Sequence, residues 1–163
     1  MFSPLLLKRV ADIIQQMQTK QQKLVTVESC TGGLMAALFT EIPGASAVFE
    51  RGLVTYSNQA KTEMVGISAA LIMQRGAVSA EVAVAMAEGG LRHSQADIAI
   101  AVTGIAGPEG GTDAKPVGTV YIAVAGNHTE AQATHYLFSG DRGDIRLQTV
   151  EAALNLLARQ ISA

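Results

Sequence analysis

Apolar positions fall into a few distinct rhythms along the chain. Leu6, Val10, Ile13, Ile14 and Met17 recur at three- and four-residue spacing, which predicts an amphipathic first helix. Leu24 to Glu28 is a short apolar run rich in β-branched residues and reads as a strand. A helical pattern runs from Leu34 to Phe39 and stops near Pro43-Gly44; Ala45 to Glu50 reads as a short helix and Gly52 to Ser57 as a second strand. Asn58 is placed to cap a helix that reaches Val65 and ends at Gly66. Ala69 to Gln74 reads as another short helix. Ser79 opens a longer one through Met86 to Arg92, with Gly89-Gly90 weakening its last turn. Asp97 to Thr103 has the continuous apolar character of a buried strand. Thr119 to Ala125 and the alternating segment Ala131 to Phe138 form a hairpin around Gly126-Asn127. Asp141 to Gln160 closes the chain as a helix, with Ile145, Val150, Leu154, Leu157 and Ile161 on one side.

Strands alternate with helices early and a hairpin comes late. That order predicts a three-layer α/β/α sandwich on a mostly parallel mixed sheet, with one antiparallel strand supplied by the hairpin 119–138. No repeat or linker divides the sequence, so residues 1–163 are expected to form a single domain. Apolar residues make up 48% and charged residues 16%, a globular balance. The net charge of −2 offers no broad basic surface, so nucleic acid is not an expected partner and any anion site is local. The run Leu5-Leu6-Leu7 is followed at once by Lys8 and Arg9. It is too short for a signal segment or a membrane span. The lone Cys30 fits a reducing cytoplasm. Metal binding is not expected, because there is no cysteine pair and no His-x-x-x-His, and Asp141 with Asp144 reads as helix capping.

In open parallel sheets, ligands collect beyond the carboxyl ends of the strands. Three segments arrive there: Ser29-Cys30-Thr31-Gly32-Gly33, Tyr56-Ser57-Asn58-Gln59-Ala60-Lys61, and Thr103-Gly104-Ile105-Ala106-Gly107-Pro108. The first puts a hydroxyl at the sheet rim beside free backbone N–H groups, an arrangement that suits a nucleophile with an oxyanion site. It equally suits a plain helix start in which Thr31 caps and Gly32 and Gly33 make the turn. Ser29 needs a base. His93, His128 and His135 sit at a helix end, in a hairpin turn and within a strand, where surface or packing roles fit better. Lys61, as third residue of a helix capped by Asn58, faces the positive end of the helix dipole. With partial burial that lowers its pKa toward a usable base, and the alternative is a solvated lysine. Tyr56 can bond the amine or pass a proton; alternatively it is a half-buried tyrosine with a wet hydroxyl. Cys30 is a rival nucleophile or a small buried hydrophobe. The loop with Gly104, Gly107, Gly110 and Gly111 exposes backbone N–H groups to anions but lacks P-loop or dinucleotide spacing. Arg142 can clamp a phosphate or stand solvated.

Together the segments resemble the CinA C-terminal family, the nicotinamide mononucleotide deamidases. The matching phrases are Val-Glu-Ser-Cys-Thr-Gly-Gly, Gly-Leu-Val-Thr-Tyr-Ser-Asn-Gln-Ala-Lys, Gly-Ala-Val-Ser and Ala-Val-Thr-Gly-Ile-Ala-Gly-Pro-Glu-Gly-Gly, followed by Lys115-Pro116-Val117-Gly118-Thr119-Val120. They span nearly the whole chain in order, in the manner of the stand-alone form. The resemblance implies an amidohydrolase that converts nicotinamide mononucleotide to nicotinate mononucleotide and ammonia without a cofactor. Carried onto this sequence, Ser29 is the nucleophile, Lys61 the base and Tyr56 an assistant, while Thr103 and Arg142 fall where the family contacts its nucleotide. The N–H groups near Cys30, Thr31 and Gly32 would meet the oxyanion, and the phosphate would lie on glycine-rich backbone and Arg142. A second reading is an inactive nucleotide-binding module related to competence- and damage-inducible proteins. The Ala-rich helices leave room for a homo-oligomer.

Overall fold

A computed structural model describes residues 2–162; the outermost ends of the expected domain, Met1 and Ala163, lie outside the described residues. The first helix, α1 (Pro4–Thr19), begins where the Ser3 hydroxyl accepts from the Leu6 N–H, and it buries Leu6, Val10, Ile13, Ile14 and Met17. β1 (Leu24–Glu28) is buried throughout. Next come α2 (Leu34–Thr40), a 3-10 turn at Ala45–Ala47 and β2 (Phe49–Val54). Three helices follow, α3 (Asn58–Val65), α4 (Ala69–Arg75) and α5 (Ala80–Arg92). β3 (Ile98–Gly104), β4 (Thr119–Gly126), β5 (Thr129–Leu137) and α6 (Arg142–Ser162) complete the chain.

The sheet order is β2-β1-β3-β4-β5. β1 pairs in parallel with both β2 and β3; β4 runs antiparallel to β3 and to β5. Only β4 opposes the common direction, so the expected mixed sheet with one antiparallel strand is the sheet that forms. Helices cover both faces. On one side α1, α2 and α6 pack on Leu24, Ile98, Ile100, Val102, Val120 and Ile122. On the other, α3, α4 and α5 pack on Val25, Val27, Ala99, Ala101, Ala123 and Ala125. Alternate residues of each central strand feed opposite cores, which is why those strands read as continuous apolar runs. Among the described residues no helix is long and apolar enough to cross a membrane.

Three local expectations need correction. The short helix expected over Ala45 to Glu50 is only the Ala45–Ala47 turn, and the second strand begins at Phe49 rather than Gly52. Phe49 is fixed by stacking on Phe39 at 5.9 Å, and Glu50 and Arg51 pair with each other on the solvent side of an edge strand. Charged residues on a sheet edge hide the strand pattern, and pairing with β1 restores it. Tyr56 and Ser57 therefore lie beyond the strand. The cap of α3 is Ser57, whose hydroxyl accepts from the Ala60 N–H, so Asn58 is the first helical residue and Lys61 the fourth. Within α5, Gly89 and Gly90 are also packing residues. A Cβ on Gly89 would stand 2.2 Å from the Val65 carbonyl, and one on Gly90 2.7 Å from Val27 Cγ2. Their absence of side chains seats α5 against α3 and the sheet.

Candidate active site

The parallel strands β1, β2 and β3 deliver their carboxyl ends to one rim, and backbone hydrogen bonds stitch the departing turns together. The Ser29 N–H donates to Val102 O at 3.0 Å and the Thr55 N–H to Glu28 O at 2.8 Å. Ser29 is thereby held immediately above β1, 8% exposed. Lys61 rises from α3 into the same space with only 1% exposure. Its Nζ lies 3.1 Å from Ser29 Oγ, 2.8 Å from Thr55 O and 3.4 Å from Tyr56 O. No carboxylate pairs with it among the described residues. Burial pushes the Lys61 pKa below its ordinary value, opposed only by proximity to Cys30. The helix dipole, expected from sequence to share in this shift, is the lesser cause. The fourth-residue position weakens that cause, and loss of solvation is what dominates.

The turn after Ser29 is organised by Glu28, the last residue of β1. Glu28 is fully buried. Its Oε2 accepts from Thr31 Oγ1 at 2.7 Å, the Gly33 N–H at 3.0 Å and the Met35 N–H at 3.1 Å. Its Oε1 accepts from the Ala36 N–H at 2.9 Å and, more weakly, from Thr26 Oγ1 at 3.4 Å. The carboxylate thus caps α2, whose own N-cap residue Gly33 supplies no side chain. Gly32 and Gly33 carry φ of +58° and +95°, the left-handed region that favours glycine and lets the chain fold around that carboxylate. Arg146 of α6 adds a tie from the far side, Nη2 donating to Thr31 O at 2.8 Å. The Gly32 N–H is spent on Ser29 O at 3.0 Å, and the Gly33 N–H on Glu28. The N–H groups of Cys30 and Thr31 make no hydrogen bond to another residue among the described residues. They are the two left free beside Ser29.

A cavity of about 220 Å³ opens over the dyad, lined by Ser29, Cys30, Tyr56, Lys61, Thr103, Gly104 and Arg142 together with Asn58, Ala77, Val78 and Ala106. Of the residues singled out from sequence, Thr31, Gly32, Gly33 and Gly107 do not line it. The Thr103 hydroxyl is turned to Ala77 O at 2.8 Å. Tyr56 is 59% exposed, and its phenol oxygen accepts from Arg142 Nη2 at 3.0 Å rather than bonding the Lys61 amine. Arg142 Nη1 donates to Gly107 O at 2.7 Å, so tyrosine, arginine and glycine-rich loop meet at the mouth. Asp141 and Asp144 cap α6 reciprocally at 3.0 and 2.9 Å, which satisfies the helix start and leaves Arg142 as the cation facing the cavity. The Cys30 thiol is pushed up to about 11 by burial, with Glu28 adding to the rise. At neutral pH it is a thiol, a poor rival to Ser29. None of the three histidines lines this cavity. Among the described residues no cluster of metal-ligating side chains occurs.

A family model, the CinA C-terminal domain, matches residues 7–161. The chain belongs to that family. A nicotinamide-nucleotide amidohydrolase of Escherichia coli, PncC, is 47% identical over 146 residues, covering 90% of this chain and 88% of that protein. A CinA-like protein of Geotalea uraniireducens is 55% identical over 138 residues, 85% of this chain but 33% of that protein. The chain therefore spans about a third of the length of such longer CinA-like relatives. Among solved structures, a competence/damage inducible protein of Agrobacterium tumefaciens superposes with a TM-score of 0.96 at 40% identity, covering 100% of this chain and 99% of that one. A CinA superfamily protein of Escherichia coli gives 0.91 at 31% identity, covering 98% and 94%. The α/β sandwich described above is thus the fold of the CinA C-terminal domain.

Proposed function

We propose that this chain is an amidohydrolase that converts nicotinamide mononucleotide to nicotinate mononucleotide and ammonia through an acyl-enzyme on Ser29. The observation that carries the reading is a buried lysine amine, without a counter-ion, 3.1 Å from a serine hydroxyl at the rim of the sheet. The amidohydrolase named in the Escherichia coli relative supports the substrate. A neutral amine has two N–H donors and one lone pair. The carbonyls of Thr55 and Tyr56 take the donors, which leaves the lone pair for the Ser29 O–H.

In this scheme Lys61 removes the Ser29 proton as Oγ attacks the carboxamide carbon. The carbonyl π-bond opens to an oxyanion received by the N–H of Cys30, a residue of the cavity wall, a well-placed donor contributing about 3 kcal/mol. Collapse of the adduct breaks the C–N bond, and the ammonium of Lys61 returns the proton to departing ammonia. Water then attacks the ester with Lys61 again as base, and Ser29 is regenerated. The pyridinium ring draws electrons from the carboxamide, so each step runs on the chain's own groups. Arg142 holds the phosphate at the mouth, steadied by Tyr56. Tyr56 serves in this scheme through its carbonyl on Lys61 and its phenol on Arg142.

The direct experiment is ammonia release from nicotinamide mononucleotide by the purified chain; absence of turnover removes the reading. Tight nucleotide binding by calorimetry without turnover would instead assign a binding module, in keeping with the competence- and damage-related names of several relatives. Cys30→Ala is expected to retain kcat within about threefold, because a thiol that deprotonates near 11 contributes no nucleophile at neutral pH. Loss of turnover in that variant with retention in Ser29→Ala would move the nucleophile to Cys30.

A further inference from the structure

Two of the sequence phrases, Gly-Ala-Val-Ser at 76–79 and the Lys115 segment, play no part in the scheme above, yet the structure joins them. Four consecutive carbonyls between α4 and α5 are each taken by a side chain. Arg75 O and Val78 O both accept from Lys115 Nζ, at 3.1 and 2.6 Å. Gly76 O accepts from Ser79 Oγ at 2.9 Å, and Ala77 O from Thr103 Oγ1 at 2.8 Å. Lys115 is itself held in a tight turn, its N–H on Thr112 Oγ1 at 3.0 Å and its carbonyl accepting from the Thr112 N–H at 2.9 Å. It pairs with no carboxylate among the described residues. Its charge is spent on two carbonyls, one on the last residue of α4, where a cation is favoured, and one three residues further on. The segment so pinned contributes Ala77 and Val78 to the wall of the cavity over Ser29, and the N–H groups of both make no hydrogen bond among the described residues.

We propose that Lys115 is a positioning residue for substrate binding: it fixes the 75–78 strip, so that Ala77 and Val78 form a rigid wall with two unpaired N–H donors for the polar groups of the bound nucleotide. The proposal rests on the amidohydrolase reading for the identity of that ligand and on geometry alone for the wall. A cation bonding two carbonyls is a stronger tie than a neutral donor, and its removal frees both acceptors at once. No hydrogen bond joins the wall to the Ser29–Lys61 pair among the described residues, so loosening it acts on binding rather than on the bond-making step.

The test uses the full chain as Lys115→Met and Lys115→Arg, each shown folded by circular dichroism. Lys115→Met is expected to raise KM for nicotinamide mononucleotide about tenfold with kcat within about threefold, while Lys115→Arg, which keeps charge and donors, holds KM within about threefold of wild type. Amide exchange by mass spectrometry should show faster exchange in peptides covering 75–79 in Lys115→Met alone. An unchanged KM in Lys115→Met overturns the proposal, as does unchanged exchange over 75–79 or a fall confined to kcat. If wild type releases no ammonia, it is the amidohydrolase reading that fails. Exchange over 75–79 and calorimetric affinity for nicotinamide mononucleotide in wild type and Lys115→Met then decide the wall by the same expectations.

Discussion

Lys61→Met will abolish turnover, lowering kcat by about 10⁴-fold, without weakening the fold. Methionine keeps the length of the side chain and fills the same buried space, but it supplies no lone pair to Ser29 Oγ at 3.1 Å. Ser29→Ala is expected to lose as much, and the double variant little more, because the two groups act as one unit. Stability separates this account from simple damage. A lysine that is 1% exposed and lacks a carboxylate partner must stay unprotonated or bury its charge, and either state costs free energy at neutral pH. Its folded pKa lies below the unfolded value near 10.5, so between those two values the unfolded chain binds the proton that the folded chain releases. Wild-type stability therefore rises with pH across that window, and the Lys61→Met curve lacks the rise. The same titration gives kcat/KM an ascending limb with pH, set below the ordinary lysine range. Urea denaturation across pH, beside steady-state kinetics, checks both. A stable Lys61→Met protein with near-normal kcat would end the dyad.

Much of this arrangement was legible in the sequence because it rests on local pattern. β1 and β3 are buried on both faces and announce themselves as unbroken apolar runs, and the rule that ligands gather at strand ends points to Ser29 and Lys61. The start of the edge strand β2 is not legible because the charged pair Glu50 and Arg51 interrupts its apolar pattern, and it is pairing with β1 that reveals the segment as a strand. Ser57 and Asn58 are both good capping residues, and side by side they give no means of choosing from composition. The residues whose contacts the sequence does not show act over long separations. Lys115 meets carbonyls 37 and 40 residues away, and Arg146 meets Thr31 across 115. No window on the sequence contains both partners. Glu28 is different, since its partners lie within eight residues. A glutamate ending an otherwise apolar buried strand, just before a turn with two glycines and a helix start, is a signal that the capping rules can use.

Glu28 is also where a single change is expected to cost the most stability. In Glu28→Ala, two side-chain hydroxyls and three backbone N–H groups lose their acceptor around a fully buried carboxylate position. Unsatisfied buried donors cost about 1–3 kcal/mol each, and relaxation of a seven-residue helix recovers part of that. The expected net loss is about 4 kcal/mol in urea denaturation. Glu28→Gln gives a sharper test. If its oxygen takes the Oε2 position, the bonds to Thr31, Gly33 and Met35 survive. The amide nitrogen then faces the Ala36 N–H, donor against donor, while the Thr26 hydroxyl can turn to accept from it. One contact is lost and one is reversed, for an expected cost of about 2 kcal/mol, half that of alanine. Activity follows a different course. The same carboxylate sets the turn that presents the Cys30 N–H, so kcat should fall about tenfold or more in Glu28→Gln even where denaturation shows the protein fully folded. Equal stability in all three proteins would show that the helix start finds other partners. Unchanged kcat in a destabilised Glu28→Gln would separate the cap from the chemistry and leave the oxyanion without the support assigned to it.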